Sequence, residues 1–239
     1  MSELKGRIHS FQSLGAVDGP GIRYVIFMQG CPYRCPYCHN PDTKAYAGGT
    51  EYTADELVAK IIRYKTYFGK DGGVTVSGGE PLLQAEFLCE LFEKLHAVGI
   101  NIALDTAGIK PNETVKRLLK STDTVLCDVK FPTDAQYREM IGISIDTVKE
   151  FLRLCDECGC DVIVRHVVVP GITDGAESVK AVAKIAKNVK NLKKIELLPF
   201  KKLCIEKYDK LGMPFPLANT PECDAQTIKR LYSAIECFE

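Results

Sequence analysis

Cys31, Cys35 and Cys38 stand in the run Cys-Pro-Tyr-Arg-Cys-Pro-Tyr-Cys, a C-x3-C-x2-C spacing that follows an apolar stretch. Three thiolates this close can grip three corners of a cubane [4Fe-4S] cluster. No fourth Cys stands at a matching distance, so one iron would keep an open coordination position. An open position on a metal is where substrate chemistry takes place. The spacing therefore points to a reactive cluster rather than an electron relay. The competing readings are a zinc-stabilised binding module without catalysis, and plain buried thiols. Zinc usually takes four ligands, and His39 is the nearby candidate for a fourth. Pro32 and Pro36 oppose a helix and suit a loop wrapped round a cluster.

The elements that must hold these thiols are legible as alternating patterns. Short apolar or β-branched runs predict strands over residues 24–28, 74–76, 102–104, 124–128, 162–169 and 195–198. Helical spacing predicts helices over 53–68, 86–98, 112–120, 147–158, 178–187 and 225–237. About six strand-plus-helix units imply α/β architecture with a parallel sheet. Such units wind right-handed round one axis, and six are short of the eight that close a barrel. The expected fold is a partial, open (β/α)6 TIM-type barrel with parallel strands. No linker or repeat splits residues 1–239, so a single domain is expected. Within it, residues 201–221 form a long irregular loop with Pro214, Pro216 and Pro221, long enough to work rather than merely connect.

Unusual residues cluster where the predicted strands end. The Cys triad follows the first, and Ser77-Gly78-Gly79-Glu80-Pro81 the second. Asp105-Thr106-Ala107-Gly108 follows the third, Asp128-Val129-Lys130 the fourth, and Pro199-Phe200-Lys201 the sixth. Parallel barrels build active sites from these ends. Each taken singly has a plainer reading. Gly-Gly-Glu-Pro suits any turn, Asp105 and Asp128 suit helix caps, and Lys130 and Lys201 suit a solvated surface. Convergence of five on one rim outweighs the plain readings.

Cys155, Cys158 and Cys160 form a second group, spaced C-x2-C-x-C. It could hold a metal, and that stays open. However, Cys155 and Cys158 continue the amphipathic pattern of Phe151, Leu152 and Leu154, and they precede the fifth strand, at the wrong end of a barrel. Cys89, Cys127, Cys204, Cys223 and Cys237 read as small buried hydrophobes.

Composition narrows the classes. With 46% hydrophobic content, 239 residues can bury one sizeable core. Lys+Arg and Asp+Glu are both 31, so no basic excess marks a nucleic-acid footprint. Met-Ser-Glu-Leu-Lys-Gly at the start has no apolar h-region. No stretch reaches the roughly 18 apolar residues of a membrane span. A soluble, cytoplasmic protein with no membrane or nucleic-acid partner is expected. In that compartment clustered thiols bind metal rather than pair, and eleven cysteines hint at anaerobic life.

The C-x3-C-x2-C run with an aromatic before its last Cys, followed by Gly-Gly-Glu-Pro after the second strand, resembles the radical S-adenosylmethionine enzymes. Three further runs resemble the glycyl-radical enzyme activases within them: Gly6-Arg7-Ile8-His9-Ser10-Phe11, Val17-Asp18-Gly19-Pro20-Gly21-Ile22-Arg23 and Tyr37-Cys38-His39-Asn40-Pro41-Asp42-Thr43. Val167-Val168-Val169-Pro170-Gly171 and Lys194-Ile195-Glu196-Leu197-Leu198-Pro199-Phe200 extend the likeness along the whole chain. Many activases carry a ferredoxin-like, Cys-rich insert. No Cys lies between Cys38 and Gly78 here, which is similar to the pyruvate formate-lyase branch.

The resemblance implies the following expectations. Cys31, Cys35 and Cys38 ligate three irons of a [4Fe-4S] cluster, and S-adenosyl-L-methionine chelates the fourth. Gly78, Gly79 and Glu80 receive its amino group, and Lys130, beside Val129, its carboxylate. Tyr37 and His39 pack near the adenine. Asp105, Thr106, Asp128 and the Leu126 carbonyl bind a monovalent cation (Na or K), a hard ion suited to oxygen ligands. Asp18 faces the partner. That partner is a glycyl-radical enzyme, pyruvate formate-lyase or else a different member of that class, whose glycine loop enters the barrel. Flavodoxin or ferredoxin donates the electron, and the chain works as a monomer. Where the family usually has a His, this chain has Lys201, which could reach a ribose hydroxyl, and Cys204 replaces a family Gly.

Overall fold

A computed structural model describes residues 4–236 of the 239. Met1-Ser2-Glu3 and Cys237, on which two of the expectations bear, lie outside the described residues.

Eight strands form one sheet: β1 (Lys5–Gly15), β2 (Arg23–Met28), β3 (Thr50–Thr53), β4 (Gly73–Gly78), β5 (Asn101–Thr106), β6 (Thr124–Asp128), β7 (Asp161–Val168) and β8 (Leu192–Pro199). Their order is β3-β1-β2-β4-β5-β6-β7-β8. From β2 onward every pairing is parallel, so six strand ends face one rim. No pairing among the described residues joins β8 to β3, and the barrel stays open along that seam. The expected open, parallel α/β barrel is what the chain forms.

The helices are α1 (Ala54–Ile61), α2 (Ala85–Ala97), α3 (Glu113–Leu119), α4 (Asp134–Gln136), α5 (Ile145–Cys158), α6 (Ala176–Ala186), α7 (Ile205–Lys210) and α8 (Ala225–Glu236). α1 packs on α2, α2 on α3, α3 on α5 and α6 on α8. Strand alternation explains why the parallel runs look apolar yet carry a polar site. Val74, Val76, Ile102, Leu104, Val125, Val162 and Val164 are wholly buried. Burying each such side chain stabilises by about 1.5–3 kcal/mol. The alternate residues Ser77, Asp105, Asp128, Arg165 and Val167 line the barrel interior instead.

Three local differences have physical reasons. The helix expected over 53–68 ends at Ile61 and tightens into a 3₁₀ segment, Ile62–Tyr67, which buries no residue and so gains nothing from helical packing. Its start is as expected: Thr53 and Glu56 close a capping box, Glu56 N–H to Thr53 Oγ1 at 3.2 Å and Thr53 N–H to Glu56 Oε2 at 2.8 Å. β1 and β3 form an antiparallel flank the sequence did not announce, because both strands, β3 at the edge and β1 between it and β2, mix exposed or half-buried polar residues with few buried ones. The stretch 201–221 is not wholly irregular. α7 sits inside it, too short to show a helical period and held by buried Tyr208.

Candidate functional site

All six parallel strands contribute to one cavity of about 300 Å³, through residues that include Phe27, Ser77, Asp105, Asp128, Arg165 and Leu198. The cavity opens at the rim where the unusual residues were expected. Cys31, Cys35, Cys38, Tyr37, His39, Gly78, Gly79, Asp105, Thr106, Asp128 and Lys130 line it. Glu80, Val129 and Lys201 do not line it.

The cysteine loop is held by two tyrosines. Tyr33 O–H donates to the Gly108 carbonyl after β5. Tyr37 O–H donates to the Lys130 carbonyl at 2.9 Å, and Lys130 N–H donates to Tyr137 Oη at 2.8 Å. Tyr37 and Phe131 pack with ring centroids 5.8 Å apart. The loop that carries the thiols is thus tied to the strands that carry the carboxylates.

Burial pushes the Cys31 thiol up to about 12, with the Tyr33 N–H opposing. It pushes Cys35 up to about 11, with Lys130 opposing. A free thiolate is therefore disfavoured, and only a strong positive centre would hold these sulfurs charged. None of the three donates a hydrogen bond among the described residues, whereas Cys89, Cys158 and Cys160 donate to the Thr114, Lys116 and Leu119 carbonyls. Among the described residues no three His, Cys, Asp or Glu converge on a single metal ion. The triad suits separate irons of one cluster better than one zinc, and the second cysteine group is spent on core packing and carbonyl contacts.

Opposite the thiols lies a charge quartet. Asp128 Oδ2 meets Lys130 Nζ at 2.5 Å, and Asp105 Oδ1 meets Arg165 Nη1 at 3.3 Å. Ser77 Oγ donates to Asp105 Oδ2 at 2.7 Å. Burial raises the Asp105 carboxyl, and Arg165 opposes it. Burial would lower Lys130, but Asp128, Cys35 and Tyr37 outweigh it and hold the ammonium charged. Among the described residues, two buried polar atoms on cavity residues make no hydrogen bond, Asp18 Oδ2 and Arg165 Nε, the latter with Glu196 Oε2 at 3.7 Å as its ion-pair partner. Buried polar atoms without a hydrogen bond are rare in folded proteins and call for an explanation, which a polar ligand in this cavity would supply.

Asp18 reaches the cavity from a loop inside the barrel. Gly19 holds φ +126°, a conformation that favours glycine, and an added Cβ would meet the side chains of Thr75, Ala103 and Leu126 at an ordinary 3.6 Å. Thr75 Oγ1 donates to the Asp18 carbonyl at 2.7 Å, and Arg23 Nε donates to Thr75 Oγ1 at 3.0 Å. Arg23 is wholly buried and also donates to Asn101 Oδ1 at 2.8 Å.

The expected residues outside the cavity have definite places. Glu80 is buried. Its carboxylate accepts from Thr106 Oγ1 at 2.5 Å, Ala107 N–H at 3.0 Å and Leu82 N–H at 3.2 Å, which locks the Gly78-Gly79 turn to β5. Thr106 thereby spends its hydroxyl on Glu80. Val129 contributes backbone, its carbonyl taking His166 Nδ1–H at 2.7 Å. Lys201 turns its ammonium to Glu222 at 3.1 Å, while its carbonyl accepts from His39 Nε2 at 2.9 Å. Arg165 and Tyr33 were missed. Arg165 left a signal, a charged residue at an alternate position of an otherwise apolar strand.

Burial pushes the Glu80 carboxyl up to about 7, against three donated hydrogen bonds that lower it. A carboxyl raised on folding stabilises below its unfolded value and loses that contribution as pH rises through the folded value. The metal-free chain is expected to lose on the order of 3 kcal/mol between pH 5 and pH 8 from this group. Denaturant unfolding across that range checks it, and Glu80→Gln should flatten the slope while lowering overall stability.

The family model described as the radical SAM superfamily matches residues 25–191. A pyruvate formate-lyase-activating enzyme of Clostridium pasteurianum is 46% identical over 229 residues, covering 95% of this chain and 96% of that one. One of Staphylococcus epidermidis is 41% identical, covering 96% and 94%. Among solved structures, a domain of pyruvate-formate lyase-activating enzyme from Bacteroides vulgatus aligns with a TM-score of 0.58 at 20% identity, covering 70% of this chain and 94% of that one. Streptococcus suis SuiB bound to precursor peptide SuiA aligns with a TM-score of 0.68 at 14% identity, covering 90% and 45%. These two likenesses speak for the fold alone.

Proposed function

The chain belongs to the radical SAM superfamily and to its pyruvate formate-lyase-activating enzymes, and on that premise we propose that it installs the glycyl radical of pyruvate formate-lyase. The observation that carries the reading is the meeting, on one cavity, of three thiols that donate no hydrogen bond with Asp18 and Arg165 atoms whose hydrogen bonding is unsatisfied. When bound, a [4Fe-4S] cluster and S-adenosyl-L-methionine supply electron-driven cleavage to methionine and a deoxyadenosyl radical that takes hydrogen from a backbone glycine.

The chain's own residues hold, orient and shield. Cys31, Cys35 and Cys38 would hold three irons, at sulfurs the loop tyrosines keep in place. The Gly78-Gly79 turn exposes backbone to an amino group, and Glu80 fixes that turn from behind. Lys130 and Arg165 offer positive charge to a carboxylate. Asp105 and Asp128 are the acceptors for a monovalent cation, which would compete with Arg165 and Lys130 for them. Asp18 meets the entering glycine segment, and the seam between β8 and β3 leaves the barrel room to admit it. We assign the electron to a flavodoxin or ferredoxin, the working state to a monomer in one domain spanning 1–239, and the location to the cytoplasm. No helix among the described residues is long and apolar enough to cross a membrane.

The test is product stoichiometry. Reduced, cluster-loaded chain mixed with S-adenosyl-L-methionine and pyruvate formate-lyase is expected to form one deoxyadenosine per radical. Methionine formed without any partner radical would redirect the assignment to another glycyl-radical enzyme.

Lys201 supplies a sharper check. Its pair with Glu222 is exposed, with side-chain exposures of 42% and 43%, and such pairs contribute about 0–1 kcal/mol. Lys201→Ala keeps the carbonyl that His39 donates to, so S-adenosyl-L-methionine affinity should change by less than about threefold. Equilibrium binding to the loaded chain measures it.

A further inference from the structure

The barrel is open between β8 and β3, yet side-chain contacts tie the two sides together at the rim, the Lys207 pair foremost. Lys207 on α7 donates to Asn40 Oδ1 at 2.9 Å and to Asp42 Oδ1 at 3.3 Å. α7 follows β8, whereas Asn40 and Asp42 follow the third cysteine of the β2 loop. Asn40 Nδ2 passes the contact on, donating to the Gly78 carbonyl at 3.4 Å. Asp42 Oδ2 lies 3.5 Å from His9 Nε2 on β1, so the same carboxylate reaches the far side of the seam. His39 Nε2 donates to the Lys201 carbonyl beside it.

α7 is a firm anchor. Tyr208 is 2% exposed and packs on Phe215 at 4.9 Å, and Phe215 stacks on Phe200 at 6.2 Å, directly after β8. Within the Cys38 to Thr43 segment the hydrogen bonds are those of a single 3₁₀ turn, Thr43 N–H to Asn40 O at 3.1 Å, Lys44 N–H to Pro41 O at 3.3 Å and Thr43 Oγ1–H to Asn40 O at 2.8 Å. Its end is tied to the chain after β2, where Gly30 N–H donates to the Thr43 carbonyl at 2.7 Å and Cys31 N–H to the Lys44 carbonyl at 3.2 Å, whereas the side chains of Asn40 and Asp42 reach across the seam to Lys207.

We propose that Lys207 is a positioning residue that latches the open seam, fixing the Cys38-bearing segment and, through Asn40, the Gly78 turn. This rests on the reading of the cavity as a cluster and S-adenosyl-L-methionine site. The latch sets the distance between the third thiol and the turn that receives the cofactor, and misplacement there on the order of 1 Å can cost a hundredfold. Sheet pairing cannot do this work, since β8 has no partner across the seam.

Two measurements test it. In the metal-free chain, hydrogen exchange at Thr43 and Lys44 is expected to speed about tenfold in Lys207→Met, with β5 and β6 amides unchanged. In the reconstituted chain, Lys207→Met should keep its iron, but the S-adenosyl-L-methionine needed to alter the reduced-cluster EPR signal should rise about tenfold. Lys207→Arg should restore both, and Asn40→Leu removes the shorter contact and its link to Gly78 from the other side if Lys207→Met does not fold. Exchange within twofold of the parent overturns the latch. Faster exchange with an unmoved EPR titration overturns its role in positioning. Failure of the parent chain to take up a cluster would count against the functional reading, and the metal-free exchange would still decide the latch.

Discussion

Cys35→Ala is expected to leave a folded chain that carries no [4Fe-4S] cluster and generates no partner radical. With Cys31, Cys35 and Cys38 as the proposed protein ligands, losing one would leave two thiols and the solvent to hold the cluster. Cys35 is the middle thiol and faces Lys130, whose charge opposes the cost of burying a thiolate. Its side chain is only partly buried, so the metal-free variant should unfold within about 1 kcal/mol of the parent. Iron analysis, visible absorbance and denaturant unfolding measure the three parts. Cys155→Ala supplies the contrast. Cys155 is wholly buried on α5, so that variant should keep its iron and lose about 1 kcal/mol or more to a small cavity.

Arg165→Met is expected to give the largest loss of fold stability among the cavity substitutions. Arg165 and Asp105 side chains are 14% and 17% exposed, and Glu196 stands 3.7 Å from the same guanidinium. Removing one partner of a buried pair strands the other, at about 3–5 kcal/mol. The pH dependence fixes the cause. Burial already raises the Asp105 carboxyl, and losing Arg165 raises it further. A raised carboxyl stabilises below its unfolded value and loses that as pH rises, so the deficit of Arg165→Met should be greater at pH 8 than at pH 5. Adding Asp105→Asn should recover part of the loss, because the stranded charge is gone. A deficit independent of pH would point to lost packing instead.

Much of this was legible in the residues. The six parallel strands each bury one apolar row, so their runs stood out, and the polar residues ending them marked the rim. The Cys triad was legible because a short loop must bring all three sulfurs to one side. What escaped notice was set by tertiary contacts. Glu80 reads as a ligand in a motif, but burial and three donors make it the brace behind the turn. Lys201 reads as a cavity residue, yet Glu222, 21 positions away, takes its ammonium. Lys207 carries no motif, and its contacts lie 167 and 165 residues away in sequence. β1 was hidden because, although paired on both sides, it buries only Gly6, Ile8 and Gly15 and so shows no apolar run. Arg165 was the one avoidable miss, since a lone charge in Val162-Ile163-Val164-Arg165-His166-Val167 requires a polar interior.

The central claim is that the thiols and the charge quartet serve radical transfer to a protein glycine. The direct measurement is EPR of pyruvate formate-lyase after anaerobic incubation with the reduced, cluster-loaded chain and S-adenosyl-L-methionine. The account predicts a doublet, split by the one hydrogen left on the glycine Cα, that collapses to a singlet when the partner carries α-deuterated glycine. An intact, reduced cluster with S-adenosyl-L-methionine bound and no such signal would contradict it.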